Sequence, residues 1–325
     1  MRRIGGITVV LLLFAGACGD DGPGDAAVSA DSTTEITTTA AGPTRTEMTT
    51  FALDLVDPSR PTEAGAGMPH QDQRRLPTDV YLPAGTGPFP FVAFAHGLSG
   101  HPRKFTQLLG AWAEAGYAVA APTFPLSNDQ VPGEPTWTDV GNQPGDISFV
   151  IDELLAANED PASPVYGAID PERIGVAGLS LGGATTYGVA FNDCCLDDRP
   201  IAAMVLDGAR LSTGGTFHMD SGLPLLIMHA DEDFTLPYDE AVNAYTSAIG
   251  PKYLVTIHEA VHASPYENDP DPADEMVTAT TIAFWDRWLK DDPDADERMR
   301  LAVAADPALA EMEWVQVDDT GPDDG

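Results

Sequence analysis

Short runs of β-forming residues alternate with longer stretches of helical spacing between Phe51 and Leu289. The runs at 79–82, 91–95, 117–121, 174–177, 203–206, 225–228 and 253–257 predict strands. Several are apolar almost without interruption, the pattern of strands covered on both faces. Helices are predicted at 104–114, closed by Gly116, and at 145–157, 181–191, 238–248 and 274–289. In the last, Met276, Val277, Ile282, Ala283, Phe284, Trp288 and Leu289 mark the face that packs on the sheet. Alternation of this kind predicts an α/β fold, a mostly parallel central sheet with helices on both faces. No internal repeat interrupts it.

The pattern stops at both ends. Arg2 and Arg3, the apolar run 4–14 and the small residues Ala15, Gly16 and Ala17 precede Cys18, and the run is too short for a permanent bilayer span. This segment resembles a bacterial lipoprotein signal, which implies export and a lipid on Cys18 that holds the protein on the outer face of the cell membrane. Ala15 stands where a larger aliphatic residue is usual, so plain secretion is the alternative. Residues 18–50, rich in Thr, Asp, Gly and Ala, carry too little apolar surface to fold and read as a tether. The folded domain is expected at 51–290, followed by an acidic extension at 291–325, partly disordered.

Charge narrows the partners. Acidic residues outnumber basic ones 51 to 16, for a net charge of −35, so a phosphate backbone would be repelled and nucleic acid is not an expected partner. The membrane enters only through the lipid on Cys18, and a monomer is expected. Of three cysteines, Cys194 and Cys195 are adjacent. With Cys18 lipidated they either pair with each other, the favoured reading in an oxidising compartment, or stay as two buried thiols.

The chemistry is concentrated at Gly178-Leu179-Ser180-Leu181-Gly182, between the apolar run 174–177 and a small-residue segment able to start a helix. Gly-x-Ser-x-Gly at a strand-to-helix turn is a nucleophile elbow, whose glycines permit a sharp turn that lifts the hydroxyl out of the sheet. A serine hydroxyl needs a base to take its proton, and histidine titrates near working pH. Backbone N–H donors are needed for the negative oxygen of a tetrahedral intermediate.

The serine elbow in mid-chain, the preceding Asp170-Pro171-Glu172-Arg173-Ile174, and His96-Gly97 after an early strand together resemble the α/β-hydrolase fold over about 51–289. Within that superfamily the chain is most similar to compact, lidless carboxylesterases of the dienelactone-hydrolase, platelet-activating-factor-acetylhydrolase and bacterial polyester-hydrolase groups. The resemblance implies an acid in the loop after the strand that precedes the base. It favours Asp233, followed three residues on by Leu236-Pro237, over Asp231. It implies His262, in the loop after the last apolar strand, as the base, and the N–H groups of Leu98 and Leu181 as oxyanion donors. His258 and His96 are assigned structural roles. Leu98, Leu181, Phe124 and Phe234 are candidates for apolar walls, each equally compatible with ordinary packing.

No insertion after Ser180 is long enough for a cap domain, so an open site is expected. The chain lacks His-Glu-x-x-His, Cys-x-x-Cys and a phosphate loop, and its Asp clusters lack calcium-loop spacing, so no cofactor and no metal is expected. The resulting expectation is a serine hydrolase (EC 3.1.1.-) that cleaves small-molecule or polymeric carboxylic esters. A prolyl-oligopeptidase-like peptidase and a non-catalytic cell-surface binding protein are the alternatives.

Overall fold

The computed structural model describes residues 43–211 and 214–316. Among them nine strands form one sheet. In chain order these are β1 (Thr49–Asp57), β2 (Arg74–Leu82), β3 (Phe89–Ala95), β4 (Ala118–Pro122), β5 (Ile169–Leu179), β6 (Pro200–Leu206), β7 (Leu225–Ala230), β8 (Lys252–Ile257) and β9 (Ala310–Val315). The spatial order is β1-β2-β4-β3-β5-β6-β7-β8-β9. From β4 to β8 all neighbours are parallel, while β1, β2 and β9 pair antiparallel at the two edges. The architecture is α/β, consistent with an α/β-hydrolase-like fold.

Six α-helices accompany the sheet: α1 (Thr106–Glu114), α2 (Gln143–Glu159), α3 (Leu181–Phe191), α4 (Asp239–Ser247), α5 (Asp274–Leu289) and α6 (Ala295–Ala304). The period-2 alternation of side chains sorts each central strand between two helix layers. Val92, Phe94, Met204, Leu206, Leu226 and Met228 join Trp112 of α1 and Phe284 and Trp285 of α5 on one face. Phe91, Ala93, Ala203, Val205, Leu225 and Ile227 join Ile147 of α2, Tyr187 of α3 and Ala241 of α4 on the other. Strands apolar on both sides follow directly from that sandwich.

A buried charge network ties β2 to the layer above it. The Arg74 guanidinium, fully buried, donates to both oxygens of Asp146 in α2 at 2.6 and 2.7 Å and to Asp139 at 2.7 Å. Arg60 pairs with the same Asp146 at 2.9 Å and with Asp57 at 2.6 Å. Burial pushes the Asp146 carboxyl up, and the two arginines pull it back.

The folded region extends beyond the expected 51–290 on both sides. Arg45 pairs with Gly85 through backbone hydrogen bonds of 2.7 and 2.8 Å, so the end of the expected tether is part of the fold. At the other end α6 packs against α5, and β9 pairs with β8 along its whole length. Much of the acidic extension is therefore structural. Ala295, Met299 and Val303, spaced by four, face inward, and β9 covers the edge of β8 that would otherwise be open. The signal segment and residues 18–42 lie outside the described residues. Cys194 and Cys195 are joined as a vicinal disulfide in the loop after α3.

Candidate active site

The elbow is built by close backbone approaches that leave no room for side chains. A Cβ on Gly178 would collide with the Gly182 carbonyl, and one on Gly182 with that of Ala95. Ser180 between them sits at φ 58°, ψ −116°, left-handed and strained for a residue with a Cβ. It is held there by its own N–H donating to Leu206 O at 2.8 Å and by its carbonyl accepting from Ala184 N–H at 3.0 Å. The turn places the Ser180 hydroxyl at the carboxyl edge of the parallel strands, half-buried.

Two further loops at the same edge reach it. The loop after β8 brings His262, and the loop after β7 brings Asp233. The Ser180 hydroxyl donates to His262 Nε2 at 2.8 Å, and His262 Nδ1–H donates to Asp233 Oδ2 at 2.6 Å. Because a carboxylate only accepts, the proton is on Nδ1, which leaves Nε2 free to take the hydroxyl proton. Asp233 is itself fixed: its Oδ1 accepts from the N–H groups of Thr235 at 2.7 Å and Leu236 at 2.8 Å. His229, fully buried at the end of β7, donates its Nε2–H to Leu236 O at 2.9 Å, with Asp233 Oδ2 3.3 Å away.

Asp231 goes elsewhere. It accepts from His258 Nδ1 at 2.9 Å and from Glu259 N–H at 2.8 Å, forming a separate pair on the rim. Of the two carboxylates, Asp233 is the one that bonds His262.

Leu98 and Leu181 lie on the two expected donor segments. Gly97 approaches the elbow closely, since a Cβ there would stand 3.0 Å from Ser180 Cβ. Neither the Leu98 nor the Leu181 N–H is taken up by a turn, loop or cap hydrogen bond among the described residues. The loop 96–100 is pinned from inside by His96, whose Nδ1–H donates to Gly97 O at 2.7 Å while Nε2 accepts from Phe124 N–H at 3.1 Å. Burial lowers the His96 pKa to about 4, against the pull of the Gly97 carbonyl, so the ring is neutral.

The candidate wall residues divide. Leu181 is buried against Val140 and Ala184, and Phe124 is core, its ring centroid 4.9 Å from that of His96. Phe124 therefore does not line the site. Leu98 and Phe234 are exposed, Phe234 by 88%, and Val261 beside His262 is exposed as well. An exposed apolar side chain thus stands in the donor segment (Leu98), beside the acid (Phe234) and beside the base (Val261). A groove of about 380 Å³ between α5 and α6 includes neither Ser180 nor His262.

Two further buried groups stand at this edge, His229 and Asp207. Asp207 directly follows β6 and His229 is the penultimate residue of β7, at the carboxyl ends where α/β sheets place their chemistry; that position was the available signal for Asp207, which sequence reasoning passed over. Asp207, Asp233 and His262 bring ligand-type atoms within 4.8 Å of one another. Both Asp207 oxygens and Asp233 Oδ1 accept N–H donors, while His262 bonds Asp233 through Nδ1 and the Ser180 hydroxyl through Nε2.

Strain is concentrated here too. Of the non-glycine residues with positive φ, Ser99, Ser180, Asp207, Glu259 and Ala263 all lie in loops that follow parallel strands at this edge. No protein-family profile matches the chain, and no curated protein matches it.

Proposed function

We propose that this protein is a serine hydrolase of α/β-hydrolase type that cleaves carboxylic esters through an acyl-enzyme on Ser180. The observation that carries the reading is the unbroken relay from the Ser180 hydroxyl to His262 at 2.8 Å and from His262 to buried Asp233 at 2.6 Å. In the forward step Ser180 Oγ bonds to the ester carbonyl carbon as its proton passes to His262 Nε2, and the carbonyl electron pair moves onto oxygen. The Leu98 and Leu181 N–H groups are suited to receive that oxygen. Collapse expels the alkoxide, which takes the proton from the imidazolium, and water repeats the sequence to release the acid.

An open site with an apolar rim favours esters whose flanking groups need no enclosing pocket, small or polymeric. Export and a lipid on Cys18 rest on the signal segment, and the Cys194–Cys195 disulfide is in keeping with an oxidising compartment.

The test is a panel of p-nitrophenyl esters of rising chain length, with an anilide control, on wild type and Ser180→Ala. Ester turnover lost in the variant, with a silent anilide, is expected. Equal activity of both proteins would end the assignment, and fast anilide cleavage would move it to peptidases.

A further inference from the structure

Asp207 is the first residue after β6, is fully buried, and has no task in the relay just described. Its backbone is held at φ 42°, a conformation that a residue with a Cβ keeps only where its surroundings impose it. Its carboxylate joins three segments. Oδ1 accepts from the Ala230 N–H at the end of β7 at 2.8 Å and from the Tyr266 hydroxyl at 3.3 Å. Oδ2 accepts from the N–H of Ala263 at 2.8 Å, the amide immediately after His262. Ala263 is itself at φ 68°, so the base loop makes a tight, strained turn directly over this carboxylate.

All three partners are donors, so Asp207 is used as an acceptor only, the mode of an ionised carboxylate. The titratable groups that face it are His229 from β7, Tyr266 and His262 from the loop after β8, and Asp233 from the loop after β7. Burial pushes the Asp207 carboxyl up and leaves it above the usual carboxylate range, although His229, the two amides and His262 pull it part of the way back. An Asp207 oxygen, an Asp233 oxygen and a His262 nitrogen lie within 4.8 Å of one another.

We propose that Asp207 is a positioning residue for the base: it clamps the His262 loop through Ala263 and sets a second negative charge beside the imidazole, without touching substrate. The proposal rests on the serine-hydrolase reading. Asp233 fixes the tautomer through Nδ1, and Asp207 fixes where the ring stands and favours the imidazolium that forms when Ser180 gives up its proton.

The experiment compares wild type, Asp207→Asn and Tyr266→Phe on one p-nitrophenyl ester across pH, with rates expressed per site labelled by a serine-reactive fluorophosphonate. Asp207→Asn replaces one acceptor by an NH₂ group that faces an N–H and removes the charge. Its kcat is expected to fall on the order of 100-fold, the scale of a small misplacement of a reacting group, with KM nearly unchanged. Loss of the negative charge beside the base should move the acid limb of kcat/KM to lower pH. A role limited to folding would lower the labelled fraction and leave the limb in place.

Tyr266→Phe removes one donor and keeps the charge, so a few-fold loss of kcat without a change of limb is expected. If Asp207→Asn yields no folded protein, Tyr266→Phe decides, and unchanged kcat there overturns the proposal. Unchanged kcat and acid limb in folded Asp207→Asn also overturn it. Absence of both ester turnover and probe labelling in wild type sinks the hydrolase reading instead, so the two failures are distinguishable.

Discussion

Asp231 and Asp233 are chemically identical and two residues apart, yet only the second reaches His262, because the strand end and the turn at Thr235-Leu236 aim its carboxylate inward. Asp233→Asn leaves an amide where Nδ1–H needs an acceptor and so favours the wrong tautomer. A kcat loss on the order of 10⁴ is expected for it in the ester assay, whereas Asp231→Asn should stay within a few-fold of wild type. His96 gives a second residue-scale prediction. Burial holds its pKa near 4 against 6.5 for the free side chain, so below pH 6.5 the unfolded chain takes up a proton that the folded one refuses. This contribution is complete above pH 6.5 and is lost as the pH falls towards 4, amounting to about 3 kcal/mol. Urea unfolding of wild type and His96→Asn at a series of pH values checks it. The variant should show a shallower decline over that window, by nearly one proton.

At the scale of elements, the helix and strand assignments that came directly from periodicity are those of the middle of the chain. The helix expected at 274–289 coincides with α5, and that at 181–191 with α3. What escaped notice were β1, β9 and α6. An edge strand faces solvent on one side, so β1 alternates exposed and half-buried positions and β9 is mostly exposed, and neither has the continuous apolar run that marked the central strands. In α6 the inward stripe is only Ala295, Met299 and Val303 among charged residues, and acidic composition hid it. The Arg74 network was likewise invisible, because its partners are 65 and 72 residues away along the chain. Asp146→Ala removes the bidentate partner and leaves Arg74 buried with Asp139 alone. Such a change should cost about 3–5 kcal/mol of unfolding free energy, measured by urea denaturation, through loss of the charge that compensates a buried guanidinium.

For the whole molecule, the C-terminal elements close the sheet. Tyr253 of β8 and Arg287 of α5 both bond Asp296 of α6, at 2.7 and 2.9 Å, and Met299 is fully buried in the core shared with α5. A chain ending at Lys290 would expose that core and leave β8 as a bare edge. It is expected to be insoluble or to melt well below the full chain, as expression and thermal denaturation would reveal, while removal of an unstructured acidic tail would have changed neither.

Neighbouring residues are enough to specify the local features: strands apolar on both faces, helices with a sheet-facing stripe, and an elbow whose glycines permit one sharp turn. Each depends on residues within a few positions of one another, and so does the candidacy of Ser180, which needs only its flanking glycines and a strand before it. The tertiary structure decided which distant groups meet. The choice between Asp231 and Asp233, the insertion of Asp207 beneath the His262 loop, and the capture of residues 295–315 by the sheet all turn on contacts between separated segments. Such contacts are set by the register and twist of the assembled strands, which no local pattern encodes.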